Sequence, residues 1–347
     1  MKLRIDPPNP HLEIVHHHDE RGVWATKGRR ILFRPPDGSW SEIARFPRRV
    51  LKDLPIGVRL ASRLLRLGKC NVYPTRSGRL LGIRGGVVYR FDGDEPVALF
   101  GIRGDCVMNR AIAETRDGSL FFGEYFTNPT LRRVRIHRVS PELDGHEVVY
   151  TFDSPRVYHV HAIHTDPHEP GRLWIPTGDF PGQCYLVEAD ESFETVQFRG
   201  DGSQLWRMVG VLFQRDRICW ITDSHLETNR VVTMDRASGE LTVHGERDAS
   251  TWYAAETSDG VYLGTTTVEP GAGIATDQSR IIVSRDGVSW QAVAGFEKDS
   301  WPMRGFGFGA LHLPSGRYSS SSFWVTGEGV KGFDGTSRHC SLETSAA

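Results

Sequence analysis

The sequence predicts an all-β fold: a single β-propeller of about seven four-stranded blades, with one short inserted amphipathic helix. Two observations carry this prediction. A local pattern recurs at roughly 40 to 50 residue spacing, the length of one propeller blade, and turns of the Asp-Gly or Ser-Gly type follow it. The pattern is a turn, a short apolar strand, a small residue and a charge. It occurs seven times, as RGVWATKG (21–28), GRLLGIRG (78–85), GSLFFGEY (118–125), GRLWIPTGD (171–179), RICWITDS (217–224), GVYLGTTTVE (260–269) and SFWVTGEG (322–329).

Each copy reads as the second strand of a blade. The turns beyond include YRFDGDE (89–95), TMDRASGEL (233–241), VSRDGVSW (283–290) and GFDGTS (332–337). Short strands of this kind cannot bury both faces alone. Radial stacking solves that problem, and the first and last blades must then meet to close the ring. Closure is expected where residues 327–333 lie beside N-terminal chain, giving one domain over residues 1–340 and a disordered tail at 341–347.

Composition narrows the function classes. In 347 residues, 42 Lys and Arg nearly balance 43 Asp and Glu, so no global field draws the molecule to nucleic acid. No apolar run approaches the roughly 18 to 20 residues of a spanning helix, and the start lacks an apolar leader core. The five cysteines are scattered and never form a CxxC pair, which reads as reduced thiols in a cytoplasmic protein. One segment breaks the blade rhythm. Residues 45–69 carry eight basic side chains and a single acid, Asp53, with Leu60, Leu64 and Leu67 at helical spacing. It reads as a basic helical insertion over about 48–69, either a surface cap on an inter-blade groove or a peripheral contact with anionic lipid.

Propeller geometry turns the repeat into a site prediction. The innermost strand of a blade begins on the face where the second strand ends, so residues at both places surround the channel mouth. Second-strand ends supply Lys27, Arg84, Glu124, Asp179, Asp223, Glu269 and Glu328. Innermost strands are expected at 71–75, 108–114, 158–166, 204–213, 250–256 and 303–311. They bring Asn71, Asn109, Arg110, His159, His161, Gln204, Arg207, Tyr253 and Arg304 to the mouth.

His159 and His161 stand two apart, so on a strand they share a side, as metal-ligand or acid/base pairs do. With Asp179 they are the candidate ligands of one divalent ion, the possible cofactor. His16, His17 and His18 are split across two faces by alternation and read as a polar strand start. Tyr125, Trp252 and Tyr253 offer faces that stack on sugar rings, while Arg207 and Arg304 suit a carboxylate. Gln204 and Asn109 complete the expected substrate-binding set. Trp174, Trp206 and Phe308 read as blade packing.

The strings FFGEYFTN (121–128), HVHAIHTDPHEPGRLWIPTGD (159–179), GSQLWRMVGVLF (202–213), ITDSHLETN (221–229) and FEKDSWPMRGFGFG (296–309) carry a family likeness. Together they resemble the BNR-repeat or sialidase-like β-propellers that accompany bacterial and archaeal surface-polysaccharide genes. SRDGVSW (284–290) is similar to the Asp-box of such propellers but one residue shorter between Asp286 and Trp290. The resemblance implies a propeller and a glycan context. It carries no catalytic residues, and the arginine triad, tyrosine–glutamate pair and acid/base aspartate of true sialidases are not found as a set.

The expected function is a carbohydrate-active enzyme on an acidic or surface-type glycan at the channel mouth. A lyase reaction by β-elimination would use a His159 or His161 base, a Tyr125 or Tyr253 acid, and Arg207, Arg304 or a metal to neutralise the uronate carboxylate. A hydrolase would use two of Glu124, Asp179, Asp223 and Glu269. Two alternatives stand beside these. One is a non-catalytic propeller binding a glycan or protein partner in a polysaccharide biosynthesis complex. The other is a metal-dependent lactonase-like hydrolase, its ion held by acids and an asparagine such as Asn109.

Overall fold

In a computed structural model the chain forms seven antiparallel sheets arranged as a seven-bladed propeller. The structure describes residues 1–49, 53, 55 and 57–343. All seven predicted second strands form: Gly22–Lys27, Leu80–Arg84, Leu120–Gly123, Arg172–Gly178, Arg217–Ile221, Tyr262–Thr267 and Phe323–Glu328, in blades I to VII. Each is covered by neighbouring blades on both faces and so needs apolar residues throughout rather than in alternation. Leu120, Phe121 and Phe122 are accordingly all fully buried.

The ring closes differently from expectation. The last strand, Thr336–Glu343, pairs with Lys2–Ile5, which supplies the outermost strand of blade VII in the register Leu3↔Leu342 and Ile5↔Cys340. Residues 327–333 instead end the second strand and turn. Pairing therefore continues past Cys340, and of the expected disordered tail residues 341–343 are strand while 344–347 lie outside the described residues.

The innermost strand of blade VI forms over Ser250–Glu256 as expected, but those of blades III, IV, V and VII are shorter than the patterns suggest. Blade III pairs only over Ala113–Glu114 and blade V only over Leu212–Phe213, while Gln204–Trp206 forms a 3-10 turn. Near the axis, backbone groups are satisfied across blades instead of along the ladder, as when Ile163 N–H donates to Ala111 O. In blade VII the inner strand is Ala310–His312, and residues 303–306 form a short helix, α2 (Met303–Phe306), that opens after Pro302 and stops at Gly307 with φ +81°.

The insertion contains helix α1 (Arg59–Leu64), with residues 50–52, 54 and 56 outside the described residues. Its expected leucine stripe is not the buried face. Leu67 is buried, but Leu64 is 51% exposed, and the helix turns Ser62 and Arg63 inward. Carboxylates decide this orientation: Arg63 pairs with Asp299 at 2.5 Å and donates to Phe306 O, while Arg59 pairs with Asp334 at 2.6 Å and with Glu13 at 3.1 Å. The turn at Asp286 is a folding element: its Oδ1 accepts from Val288 N and Ser289 N, and Trp290 Nε1 donates to Gly287 O.

Candidate functional site

Loops and strand ends of blades I to IV, VI and VII, with the helical insertion, enclose a cavity of about 790 Å³ at the channel mouth. Of the mouth residues selected from sequence, Asn109, Tyr125, His159, Asp179, Trp252, Tyr253, Arg304 and Glu328 line it. His161, Gln204, Arg207, Asp223 and Glu269 form a buried layer around Asp179, off the cavity surface.

Blade IV builds the centre. His159 opens its innermost strand opposite Gly178, and His161 follows two residues later, so both rings face Asp179 at the end of the neighbouring strand. His159 Nε2 lies 3.3 Å and His161 Nε2 3.2 Å from Asp179 Oδ1. The other ring nitrogens are fixed by backbone carbonyls, His161 Nδ1 donating to Met208 O at 2.6 Å and His159 Nδ1 to Phe126 O at 3.2 Å. A carbonyl can only accept, so both rings carry hydrogen on Nδ1 and, when neutral, aim an Nε2 lone pair at the carboxylate. His159 Nε2 is buried and has no hydrogen-bond partner. The two Nε2 atoms and the Asp179 oxygen lie within 4.8 Å of one another, a two-histidine, one-carboxylate donor set that suits a divalent transition metal.

Arg207 stands behind this centre. Its Nη2 is 3.1 Å from Asp179 Oδ1 and 3.4 Å from Asp223 Oδ2, and its Nη1 donates to His225 Nδ1 at 2.5 Å. Gln204 donates to Asp179 O and accepts from Ser224 Oγ, which makes it a positioning residue. Glu269 accepts from Ser250 Oγ at 2.7 Å. Burial works against the Asp179 carboxylate, yet His159 and His161 in their protonated forms, together with Arg207, hold it well below the usual carboxylate range. Burial, opposed by Arg207 and reinforced by Glu269, instead pushes the Asp223 carboxyl up to about 7. One guanidinium cannot neutralise several buried acids at once, so the neighbouring Asp223 and Glu269 carboxyls are both raised. The Tyr125 ring packs on His159 with centroids 4.3 Å apart, and burial beside Asp179 and Asp223 raises its phenol.

Across the cavity, Tyr253 OH lies 3.0 Å from His312 Nδ1, and His312 Nε2 faces Glu328 Oε2 at 3.6 Å. Burial drives the Tyr253 phenol well above its ordinary value. Glu328 resists burial because Lys69, His312 and Arg59 keep it ionised. Trp252 meets Phe308 edge to face, so it serves packing as well as lining.

Glu124 is not at the mouth. It is fully buried, accepting from Arg103 N, Arg135 N and the Arg135 guanidinium, and holds the blade III turn. Arg84 is likewise structural, paired with Asp53 at 2.7 Å, and Lys27 donates to Pro10 O. Arg304 reaches the cavity from α2 rather than from a strand. Sequence reasoning missed His225 and His312. His225 sits two residues beyond Asp223, where only the loop's return path brings it to Arg207. His312 lies just past the 303–311 strand that the pattern predicts, and only the observed strand Ala310–His312 brings it beside Tyr253.

No protein-family model matches the chain, and no curated protein matches it in sequence. Solved structures do match. Oligogalacturonate lyase from Vibrio parahaemolyticus aligns with 99% of this chain and 97% of its own, at a TM-score of 0.58 and 9% identity. The extracellular domain of a hybrid two-component system from B. thetaiotaomicron aligns with 99% of this chain at a TM-score of 0.57 and 12% identity. Prolyl endopeptidases align with 94% at a TM-score of 0.53 and 13% identity. The chain spans 40% of the second of these structures and 46% of the third. At such identities the likeness establishes the fold alone. The chain is a seven-bladed β-propeller, an architecture shared by enzymes and non-enzymatic domains, and its function rests on its own site residues.

Proposed function

We propose that the protein is a carbohydrate-active enzyme that cleaves an acidic glycan at the channel mouth by β-elimination. The carrying observation is His159: a buried, unpartnered Nε2 at the cavity wall, its tautomer fixed by Phe126 O, beside an ionised Asp179. Such a nitrogen is a base able to take the C5 proton of a uronate. His161 and Asp179 hold the ring and stabilise the imidazolium that forms. Tyr253, kept protonated by burial, is placed to protonate the leaving oxygen, with His312 returning its proton. Arg304, exposed at the rim, suits the substrate carboxylate; Arg207 is committed to Asp179 and Asp223. An oligogalacturonate lyase is built on this fold, which makes oligogalacturonate the first substrate to test.

Hydrolysis is less well served, because Asp223 and Glu269 lie behind Arg207 and Glu124 is locked in its turn. The two-histidine, one-carboxylate donor set favours a second reading, in which His159, His161 and Asp179 hold a divalent cation that neutralises the substrate carboxylate. A surface-polysaccharide setting of the BNR-repeat or sialidase-like kind is consistent with both readings. Turnover of oligogalacturonate and other acidic oligosaccharides is followed by the absorbance of the unsaturated uronide, with metal analysis on the same preparation. Elimination lost in His159→Ala, in metal-free protein, supports the base. A stoichiometric metal lost in His159→Ala and His161→Ala supports the second reading. Wild-type turnover in both variants, with no metal bound, refutes the centre.

A further inference from the structure

We propose that the mouth face of the propeller docks on an anionic lipid surface, so that the cavity opens toward the membrane interface. Nine large apolar side chains are exposed among the described residues, and seven of them flank the mouth. Val58, Leu60, Leu64 and Leu65 lie on or beside α1, whose Ser62, Arg63 and Leu64 line the cavity together with Arg66 just beyond it. Trp301 precedes α2, and its ring packs on Phe306. Phe180 and Leu226 follow the second-strand ends of blades IV and V, Phe180 packing on Tyr158 of the cavity wall. The other two, Val148 and Val243, sit on outermost strands.

The clustering is specific to one face, and α1 shows how it arises. Four ion pairs and hydrogen bonds turn Arg59 and Arg63 inward, which forces the leucines out. A helix that buries arginine and exposes leucine exposes an apolar face to water, a free-energy cost that vanishes if the face is covered. Exposed basic residues lie on the same side: Arg48 and Arg66 in the segment joining blades I and II, and Arg304 on α2. Apolar side chains interleaved with cations suit an anionic bilayer interface. They stand around an open mouth rather than in a groove, and a protein seated there would close the cavity. This inference does not depend on the reaction proposed above. If both hold, the substrate reaches the site as a membrane-attached acidic glycan.

Full-length protein is sedimented with vesicles of phosphatidylcholine and phosphatidylglycerol, 3:1, and with phosphatidylcholine alone. Binding to the anionic vesicles is expected to be about tenfold or more tighter than to the neutral ones, and to weaken about tenfold in Leu64→Glu/Leu65→Glu and in Arg48→Glu/Arg66→Glu. Because these side chains are exposed, the variants should keep the wild-type melting temperature. Should either misfold, quenching by brominated lipid of the emission lost in Trp301→Phe reads the same contact. Absence of binding by the wild type, or binding that neither variant changes, overturns the proposal. So does a concentration-dependent dimer dissociated by Leu64→Glu/Leu65→Glu, since a second copy would then cover the face.

Discussion

Replacing Glu124 by glutamine tests whether the blade III carboxylate is structural. The side chain is fully buried and accepts two backbone N–H groups, from Arg103 and Arg135, as well as the Arg135 guanidinium. A glutamine keeps the shape but presents an NH2 group to donors, so at least one N–H loses its acceptor and Arg135 loses its counter-ion. Burial works against the carboxylate, but His137, Arg135 and the Arg103 N–H hold it at about 2, against an ordinary 4.5. That gap corresponds to about 3 kcal/mol at neutral pH, within the range for breaking a buried pair. For 347 residues the unfolding entropy is about 0.7 kcal/mol/K, so the melting temperature should fall by about 4 °C. The sign follows from a depressed pKa: the contribution is complete above pH 4.5 and lost as pH falls through about 2. Chemical denaturation of wild type and Glu124→Gln at pH 7 and near pH 3 should show the difference shrinking with acid. A loss under about 1 kcal/mol at pH 7, or turnover abolished in a variant of unchanged stability, would refute the structural assignment.

Buried histidines set a second pH dependence. Burial holds the His16 imidazole at about 3 and that of His164 at about 4, so between pH 6.5 and pH 5 the unfolded chain takes up protons that the fold does not. Stability present above pH 6.5 should fall by about 2 kcal/mol per histidine at pH 5. The raised Asp223 and Glu269 carboxyls act in the opposite direction, and a stability that does not fall between pH 7 and pH 5 would contradict the histidine assignment. The five thiols are free, and burial pushes Cys70 up to about 12 and Cys106 up to about 11. Native protein at pH 8 should therefore react with a disulfide reagent far more slowly than denatured protein; rapid labelling of the buried Cys219 in the native state would count against this protection. In metal-titration calorimetry, Asp179→Asn should weaken divalent-metal binding at least tenfold if the donor set is a metal centre, and unchanged affinity would remove Asp179 from it.

The blade count, all seven second strands and the face on which the charges gather are legible in the chain, because each depends on local periodicity and turn chemistry. The pairing of His159 with His161 and their approach to Asp179 follow from the same strand geometry. What local pattern cannot show is which carboxylate meets which arginine across blades. Glu124 and Asp179 end equivalent strands, yet Arg135 captures one and the histidines meet the other. In the same way, the leucines of α1 follow a helical period that predicts a buried stripe, and Asp299 and Asp334, more than two hundred residues away, reverse it. Strand positions are decided by neighbours in sequence. The ion pairs, the closing partner Lys2–Ile5 and the depth of each acid are decided by residues far apart in the chain, and only their packing around the axis brings them together.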